Sequence, residues 1–177
     1  SVSIYTLANA PNNVSASTTS STVANVVFET NSNPLITEYT IQEVGSGLYV
    51  NKGTGALEAG EDWGTHEQLG AELGIGVVGL SPNTGYEFRV KARNADATET
   101  AFSSSDSVNT LANAPGAPVV TQLSTTSLNL VIATNGNPAS TEFLIQEIDS
   151  GEFVNSTTGA LQAGEEWGTY ADFGRAD

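Results

Sequence analysis

The chain has no cysteine, no methionine and very few basic residues. Among its 177 residues there are five Lys and Arg together, against twenty Asp and Glu, and there is one His. Without cysteine, no disulfide framework, redox pair or thiolate metal site is possible. The net charge of −15 repels phosphate backbones and anionic lipid surfaces, which argues against nucleic-acid binding and membrane association.

Long apolar runs are also missing. No stretch approaches the roughly 20 apolar residues that a membrane-spanning helix needs, and no basic segment followed by an apolar one marks a signal peptide. We therefore expect no membrane insertion. Because residue 1 is Ser rather than Met, we expect the chain to be a processed or excised piece of a longer protein.

An internal repeat of 104 residues organises the sequence. Trp63 recurs as Trp167, and the segment 6–11 (Thr-Leu-Ala-Asn-Ala-Pro) returns unchanged at 110–115. Between 46–65 and 150–169, 14 of 20 positions are identical without gaps. The chain therefore holds less than two copies of one unit of about 100 residues.

The most informative stretch is Leu80–Asn94. It begins with a turn, where Pro82 fixes φ and Asn83 and Gly85 tolerate tight backbone geometry. It continues as a strand with strict alternation, which is typical of an antiparallel sheet with one buried face. The residues on the apolar side are Tyr86, Phe88, Val90 and Ala92, and those on the polar side are Glu87, Arg89, Lys91 and Arg93.

This Leu-x-Pro-x-Thr-x-Tyr-x-Phe-x-Val-x-Ala-x-Asn run closely resembles the sixth strand of a fibronectin type III domain. The resemblance implies an all-β, seven-stranded immunoglobulin-like β-sandwich, repeated every 104 residues or so. It also implies that Tyr86 forms a tyrosine corner, with its hydroxyl bonded to backbone a few residues upstream. The family carries a buried Trp in its second strand, whereas this chain has Phe28 and Ile132 there, which still fill a core.

The phase of the copies predicts the domain boundaries. Residues 1–9 match the closing strand and linker that end the complete copy, so we assign them to a preceding repeat. Residues 10–113 form the complete fibronectin type III-like domain, and residues 114–177 form a partial second one that lacks its last strands. We read the chain as part of a longer tandem array, with 110–115 too short a linker for free domain motion.

Within the complete copy, the alternation predicts the strand positions. Val14 and Ala16 lie in the first strand, and Val26 and Phe28 in the second. The later strands are predicted at 37–43, 48–51, 76–80, 86–94 and 104–111. The Gly-rich acidic segment 52–73 is predicted to be an ordered loop with at most a brief helical turn.

The two tryptophans raise the question of a binding platform. Trp63 and Trp167, beside His66 and Tyr170, would suit stacking on a sugar ring; the favoured interpretation is that Trp63 fills the core or anchors its loop. His66 is replaced by Tyr170 in the second copy, so no repeated base or zinc site depends on it. We predict no catalytic, cofactor-binding or metal-binding residues.

Two further patterns point to ligands only weakly. Gly74–Gly79 spells the dinucleotide fingerprint, but a turn and another strand follow it, where that motif requires a helix. Three loops share one pole of the sandwich, and their oxygens would allow a calcium site at a domain junction. The residues concerned are Glu29, Asn31, Asn33, Glu58, Glu61, Asp62, Asn94, Asp96 and Glu99. Solvated acidic loops are the favoured reading.

The basic residues of the polar face have a plain structural explanation. Arg89, Lys91 and Arg93 share outward parity with Glu38 and Gln42 of the third strand, so we expect cross-strand pairs.

The expected function is therefore a non-enzymatic structural or adhesive repeat of a large extracellular or cell-surface protein of bacterial type, in a filament or surface layer. Its partners would be copies of itself or neighbouring repeats. The alternatives are an accessory module of a secreted polysaccharide-active enzyme that contacts glycans, and decoration of a virion surface.

Overall fold

A computed structural model describes residues 4–174. These described residues divide into two compact units, one up to Leu111 and one from Ala112. The division lies inside the segment 110–115. The exact repeat boundaries at residues 10 and 114 stay predictions. None of the helices among residues 4–174 is long and apolar enough to cross a membrane.

The first unit consists of short antiparallel strands. They are β1 (Asn12–Thr18), β2 (Val23–Glu29), β3 (Glu38–Glu43), β4 (Tyr49–Val50), β5 (Leu57–Glu58), β6 (Gly64–Thr65), β7 (Ile75–Val78), β8 (Gly85–Arg93) and β9 (Asp106–Asn109), with a 3₁₀ helix at Ala71–Leu73. One sheet has the order β1-β2-β7, and the other has the order β5-β4-β3-β8-β9 with β6 paired to β3. Strands β1–β4 and β7–β9 lie where strands are predicted. Bounds were predicted for β3, β4, β7, β8 and β9, and their ends differ from the predicted ones by at most two residues.

The core lies between the two sheets. Alternation on β8 buries Phe88, Val90 and Ala92 completely, while Tyr86 is partly buried against the same cluster. Phe28 is 2% exposed and fills the core position in the second strand where the family carries a buried Trp. The remaining buried apolar residues of this core are Ala24, Val26, Tyr39, Ile41, Val50, Leu69, Val77 and Leu80.

Tyr86 forms the predicted tyrosine corner. Its hydroxyl oxygen accepts a hydrogen bond from the backbone N–H of Ser81 at 2.8 Å. The turn between them is held from the other side by Thr110, whose hydroxyl donates to the Ser81 carbonyl at 2.6 Å and accepts from the Thr84 N–H at 3.0 Å. The corner therefore fixes the turn before β8 and the end of β9 together.

The segment 52–73 contains more regular secondary structure than predicted. The helical turn exists at Ala71–Leu73, but β5 and β6 are additional two-residue strands that widen the sheet. Leu69, at 1% exposed, anchors the segment in the core. No alternation of apolar and polar residues marks β5 or β6 in this Gly-rich segment, so the sequence does not predict them.

The N-terminal segment differs from the prediction. Of the proposed closing strand at residues 1–7, residues 4–7 form no strand, and residues 1–3 lie outside the described residues. Instead the Tyr5 N–H donates to Asp96 at 3.1 Å, and the Asn94 side chain donates to the Thr6 carbonyl at 3.0 Å. Assignment of residues 1–9 to a preceding repeat stays a prediction.

The second unit contains strands of the same kind. They are β10 (Gly116–Gln122), β11 (Leu128–Ala133), β12 (Glu142–Phe143), β13 (Phe153–Val154), β14 (Leu161–Gln162) and β15 (Gly168–Thr169), followed by the helix α1 (Tyr170–Phe173). Among the apolar side chains described between residues 112 and 174, only Ile132 and Phe143 are buried, while Val119 is 60% and Leu128 66% exposed. Ala24, which corresponds to Leu128, is fully buried in the first unit.

Candidate functional site

The polar face of β3 and β8 carries three of the four Lys and Arg side chains of the first unit. The strands pair antiparallel with Glu38 opposite Arg93, Thr40 opposite Lys91 and Gln42 opposite Arg89. Arg93 contacts Glu38 at 2.6 Å. Arg89 donates to the Gln42 side-chain oxygen from Nε at 3.0 Å and from a terminal nitrogen at 2.7 Å. The predicted cross-strand pairs of Arg89 and Arg93 are therefore confirmed.

Two aromatic rings cover these cations. The guanidinium carbon of Arg93 lies 4.4 Å from the ring centre of Trp63, and the Lys91 nitrogen lies 5.4 Å from it. Phe102 covers the other end, with Arg89 at 4.0 Å and Lys91 at 5.2 Å from its ring centre. Each ring thus faces two cations, at separations where the ring quadrupole attracts a positive charge.

Lys91 is the centre of this face. It is 8% exposed, and its ammonium group contacts Glu61 and Glu99 at 2.6 Å each. Glu61 belongs to the segment between β5 and β6, and Glu99 to the segment between β8 and β9, so one cation fixes two loops. Glu61 also accepts from the Trp63 indole N–H at 3.1 Å.

The electrostatics of this centre favour its charged forms. The hydrogen bond from Lys91 lowers the pKa of Glu61, more strongly than burial raises it. Burial disfavours the charged form of Lys91, but its hydrogen bonds to Glu61 and Glu99 outweigh that effect and raise its pKa. Neither shift suits a group for proton transfer near neutral pH, because each moves the pKa of its residue further from neutrality.

The position of Trp63 corrects one interpretation and confirms another. The ring is partly buried on the polar face and lies outside the core, so the prediction that it fills the core is wrong. The core space is occupied by Leu69 and by Phe28, whose ring centre lies 5.0 Å from that of His66. Trp63 is instead an anchor that attaches its loop to the sheet.

His66 serves the packing of the same region. Its Nε2–H donates to the Phe28 carbonyl oxygen at 3.2 Å, and its ring also lies 6.4 Å from that of Tyr39. In the second unit Trp167 is 56% and Tyr170 43% exposed. The two tryptophans at equivalent positions therefore differ in accessibility.

Several oxygens of the proposed calcium pole contact other groups of the first unit. Asp62 forms an ion pair with Lys52, and Glu58 accepts from Asn51 at 3.1 Å. Asn94 Oδ1 accepts from the backbone N–H of Asp96 and of Thr98. Among residues 4–174, no three His, Cys, Asp or Glu side chains form a group suited to a metal ion. The calcium site stays a proposal without a geometric basis.

The glycine motif at 74–79 has no helix to complete it. Its central residues form strand β7, which pairs antiparallel with β2 at the edge of the smaller sheet. Gly74 has φ of 74° and approaches the Val26 carbonyl, so a side chain there would clash. Backbone geometry therefore accounts for this glycine without a nucleotide.

Two antiparallel sheets, a tyrosine corner and a polar face whose cations are paired define a β-sandwich module. The model of the "Fibronectin type III domain" family matches residues 9–106. The chain belongs to this family, whose domain is itself non-catalytic and is common in extracellular proteins.

Similar solved structures include the FN5 domain of Drosophila Lar, with 24% identity over 60% of this chain and 99% of that one, at a TM-score of 0.37. A human fibronectin type-III domain is 16% identical over 63% of this chain and 93% of that domain, at a TM-score of 0.42. The family 28 exopolygalacturonase of Yersinia enterocolitica is 18% identical over 59% of this chain, at a TM-score of 0.42. The match spans 21% of that enzyme. No curated protein matches the chain.

Proposed function

We propose that this chain consists of tandem fibronectin type III repeats of a large extracellular or cell-surface protein of bacterial type, in which it acts as a structural or adhesive module. The 104-residue repeat supports the tandem arrangement, because the second unit carries the counterparts of β1 and β2 as the paired strands β10 and β11. Acidity keeps such an array soluble and limits nonspecific self-association.

The observation that carries a structural role is the closed polar face. Arg89, Lys91 and Arg93 are each paired with a side chain of the same unit and covered by Trp63 or Phe102. Because these charged groups already pair with one another, they hold the loops on the sheet and have few donors or acceptors left for a ligand. A filament or surface layer would be built by neighbouring repeats or by copies of the chain.

One observation favours a second function, a carbohydrate-contacting accessory module. Trp167 is 56% exposed and Tyr170 is close to it in sequence, so these aromatics would be available to a sugar ring. In this alternative the second unit, rather than the polar face of the first, would contact the glycan.

Tryptophan fluorescence during titration with oligosaccharides separates the two functions. Trp63→Phe leaves Trp167 as the only tryptophan, and Trp167→Phe leaves Trp63. A structural module predicts no saturable change in either variant. A saturable change in the variant that retains Trp167, absent from the variant that retains Trp63, would support the accessory module and overturn the structural one.

A further inference from the structure

The segment before β1 is bonded to the turn between β2 and β3. The backbone N–H of Asn9 donates to Asn33 Oδ1 at 2.8 Å, and Asn33 Nδ2 donates back to the Asn9 carbonyl at 2.8 Å. Asn9 Nδ2 donates to the Asn31 carbonyl at 3.0 Å, and Asn31 Nδ2 donates to the Ala10 carbonyl at 2.9 Å. We call these four bonds the asparagine clasp of the first unit.

The second unit forms the same clasp, 104 residues on. Asn113 exchanges two hydrogen bonds of 2.8 Å with the side chain of Asn137. Asn113 Nδ2 donates to the Asn135 carbonyl at 2.9 Å, and Asn135 Nδ2 donates to the Ala114 carbonyl at 2.9 Å. The corresponding bonds of the two units agree in donor, acceptor and length to within 0.1 Å.

Asparagine suits each of these positions for a physical reason. A side-chain amide carries both an acceptor and donors, so Asn33 and Asn137 can pair with the N–H and the C=O of one residue, as a neighbouring strand would. Asn31 has φ of 54° and Asn135 has φ of 52°. Asn tolerates this left-handed region better than most residues, so it serves the turn and the clasp together.

The proline after the clasp strengthens the arrangement. Pro11 has no backbone N–H that would need a partner, and it disfavours a helical conformation at Ala10. The bonded segment is therefore extended and fixed at several consecutive residues. The same Asn-Ala-Pro sequence stands at 113–115.

We propose that the asparagine clasp is a joint device: it makes the linker part of the unit that follows it and fixes the direction in which the chain enters that unit. In a tandem array, each linker immobilised in this way would enter the unit that follows it in the same direction. This use in an array rests on the proposed function above, whereas the clasp itself does not.

Backbone ¹⁵N relaxation of the full 177-residue chain tests the proposal. Residues 8–10 and 112–114 should have order parameters near those of the strands, about 0.8 or more, rather than the values below about 0.6 of a flexible linker. Asn33→Ala should lower the order parameters of residues 8–10 below about 0.6 and leave 112–114 unchanged. Asn137→Ala should do the reverse, so each variant is the control for the other.

Two additional variants keep the test decisive. Asn31→Gly preserves the positive φ and removes only the bond to Ala10, so it should loosen residues 8–10 without unfolding the turn. Asn109→Ala removes an exposed asparagine of β9 outside the clasp and should change neither linker. Low order parameters in the unmodified chain, or linkers that stay rigid in Asn33→Ala and Asn137→Ala, would overturn the clasp and leave the proposed function standing. Saturable glycan binding by a chain whose linkers stay rigid would overturn the proposed structural function and leave the clasp standing.

Discussion

The guanidinium group of Arg93 lies against the ring of Trp63, 4.4 Å from its centre, while its nitrogen contacts Glu38 across the sheet at 2.6 Å. Trp63 comes from the segment between β5 and β6, which has no alternating pattern of its own. The contact between a loop aromatic and a strand cation therefore attaches this segment to the polar face of the sandwich, together with the Glu61–Lys91 ion pair.

Replacing Trp63 should destabilise the first unit through this attachment. Trp63→Ala removes a partly buried ring and two cation–π contacts, and we expect the free energy of unfolding to fall by about 1–3 kcal/mol. Urea unfolding followed by circular dichroism measures the change. Trp167→Ala, at an exposed position, is the matched control and should cost less than about 0.5 kcal/mol. Equal losses in the two variants would contradict the assignment of Trp63 as an anchor.

Tyr86→Phe should weaken the turn before β8. The substitution removes only the hydroxyl that accepts from Ser81, and the loss of one such bond is expected to cost about 1 kcal/mol. Tyr170→Phe removes an exposed hydroxyl of the second unit and should have no measurable effect. Thermal unfolding of both variants makes the comparison, and a Tyr86→Phe chain as stable as the unmodified one would show that the corner does not stabilise the fold.

Lys91→Met should destabilise the first unit and change its dependence on pH. Because Glu61 and Glu99 are 31% and 43% exposed, the expected loss is about 1–2 kcal/mol, below that of a fully buried pair. Lys91 lowers the pKa of Glu61 in the folded state. The resulting stability is present above the unfolded pKa of about 4.3 and is lost as the pH falls through the folded value.

The pH profile isolates this contribution. Stability of the unmodified chain should fall between about pH 5 and pH 3, and the fall should be shallower in Lys91→Met. Other carboxyl groups with lowered pKa values, such as Asp62 and Glu43, continue to contribute to the slope in both chains. Profiles of identical slope would contradict the role of Lys91.

The repeat predicts a compensating pair of substitutions. Lys52 and Asp62 form an ion pair in the first unit, whereas their counterparts are Ser156 and Glu166, bonded through the Ser156 hydroxyl at 2.5 Å. Ser156 has a shorter side chain than Lys52, and Glu166 is one methylene longer than Asp62. Lys52→Ser alone should cost up to about 1 kcal/mol at this partly exposed site. Adding Asp62→Glu should recover part of that loss in urea unfolding, and a double variant less stable than the single one would refute the correspondence.

Much of the first unit follows from its sequence because its long strands have one buried face. The period of two on β8 predicts both the core residues Phe88 and Val90 and the outward parity that pairs Arg89 with Gln42. The resemblance of Leu80–Asn94 to the sixth strand of the family predicts the corner. These features depend on neighbours in the chain and on one well-defined partner strand.

The position of Trp63 depends on contacts that the sequence does not reveal. A large aromatic in an irregular segment is compatible with a core position and with the polar face, and the cations of β8 decide between them. The strands β5 and β6 lie in the Gly-rich segment 52–73, where no alternation of apolar and polar residues marks them. The sequence does not predict the two clasps, although the repeated Asn-Ala-Pro segments and the Asn-x-Asn-Pro turns mark their positions.

The accessibility of Trp63 to a small neutral quencher is the most direct test of a closed polar face. In Trp167→Phe, where Trp63 is the only tryptophan, emission should be shifted to short wavelength and acrylamide quenching should be weak. In Trp63→Phe, emission from the exposed Trp167 should lie at longer wavelength and be quenched strongly. Equal quenching of the two would show that the face is open, and would contradict a structural role for the aromatic rings that cover its cations.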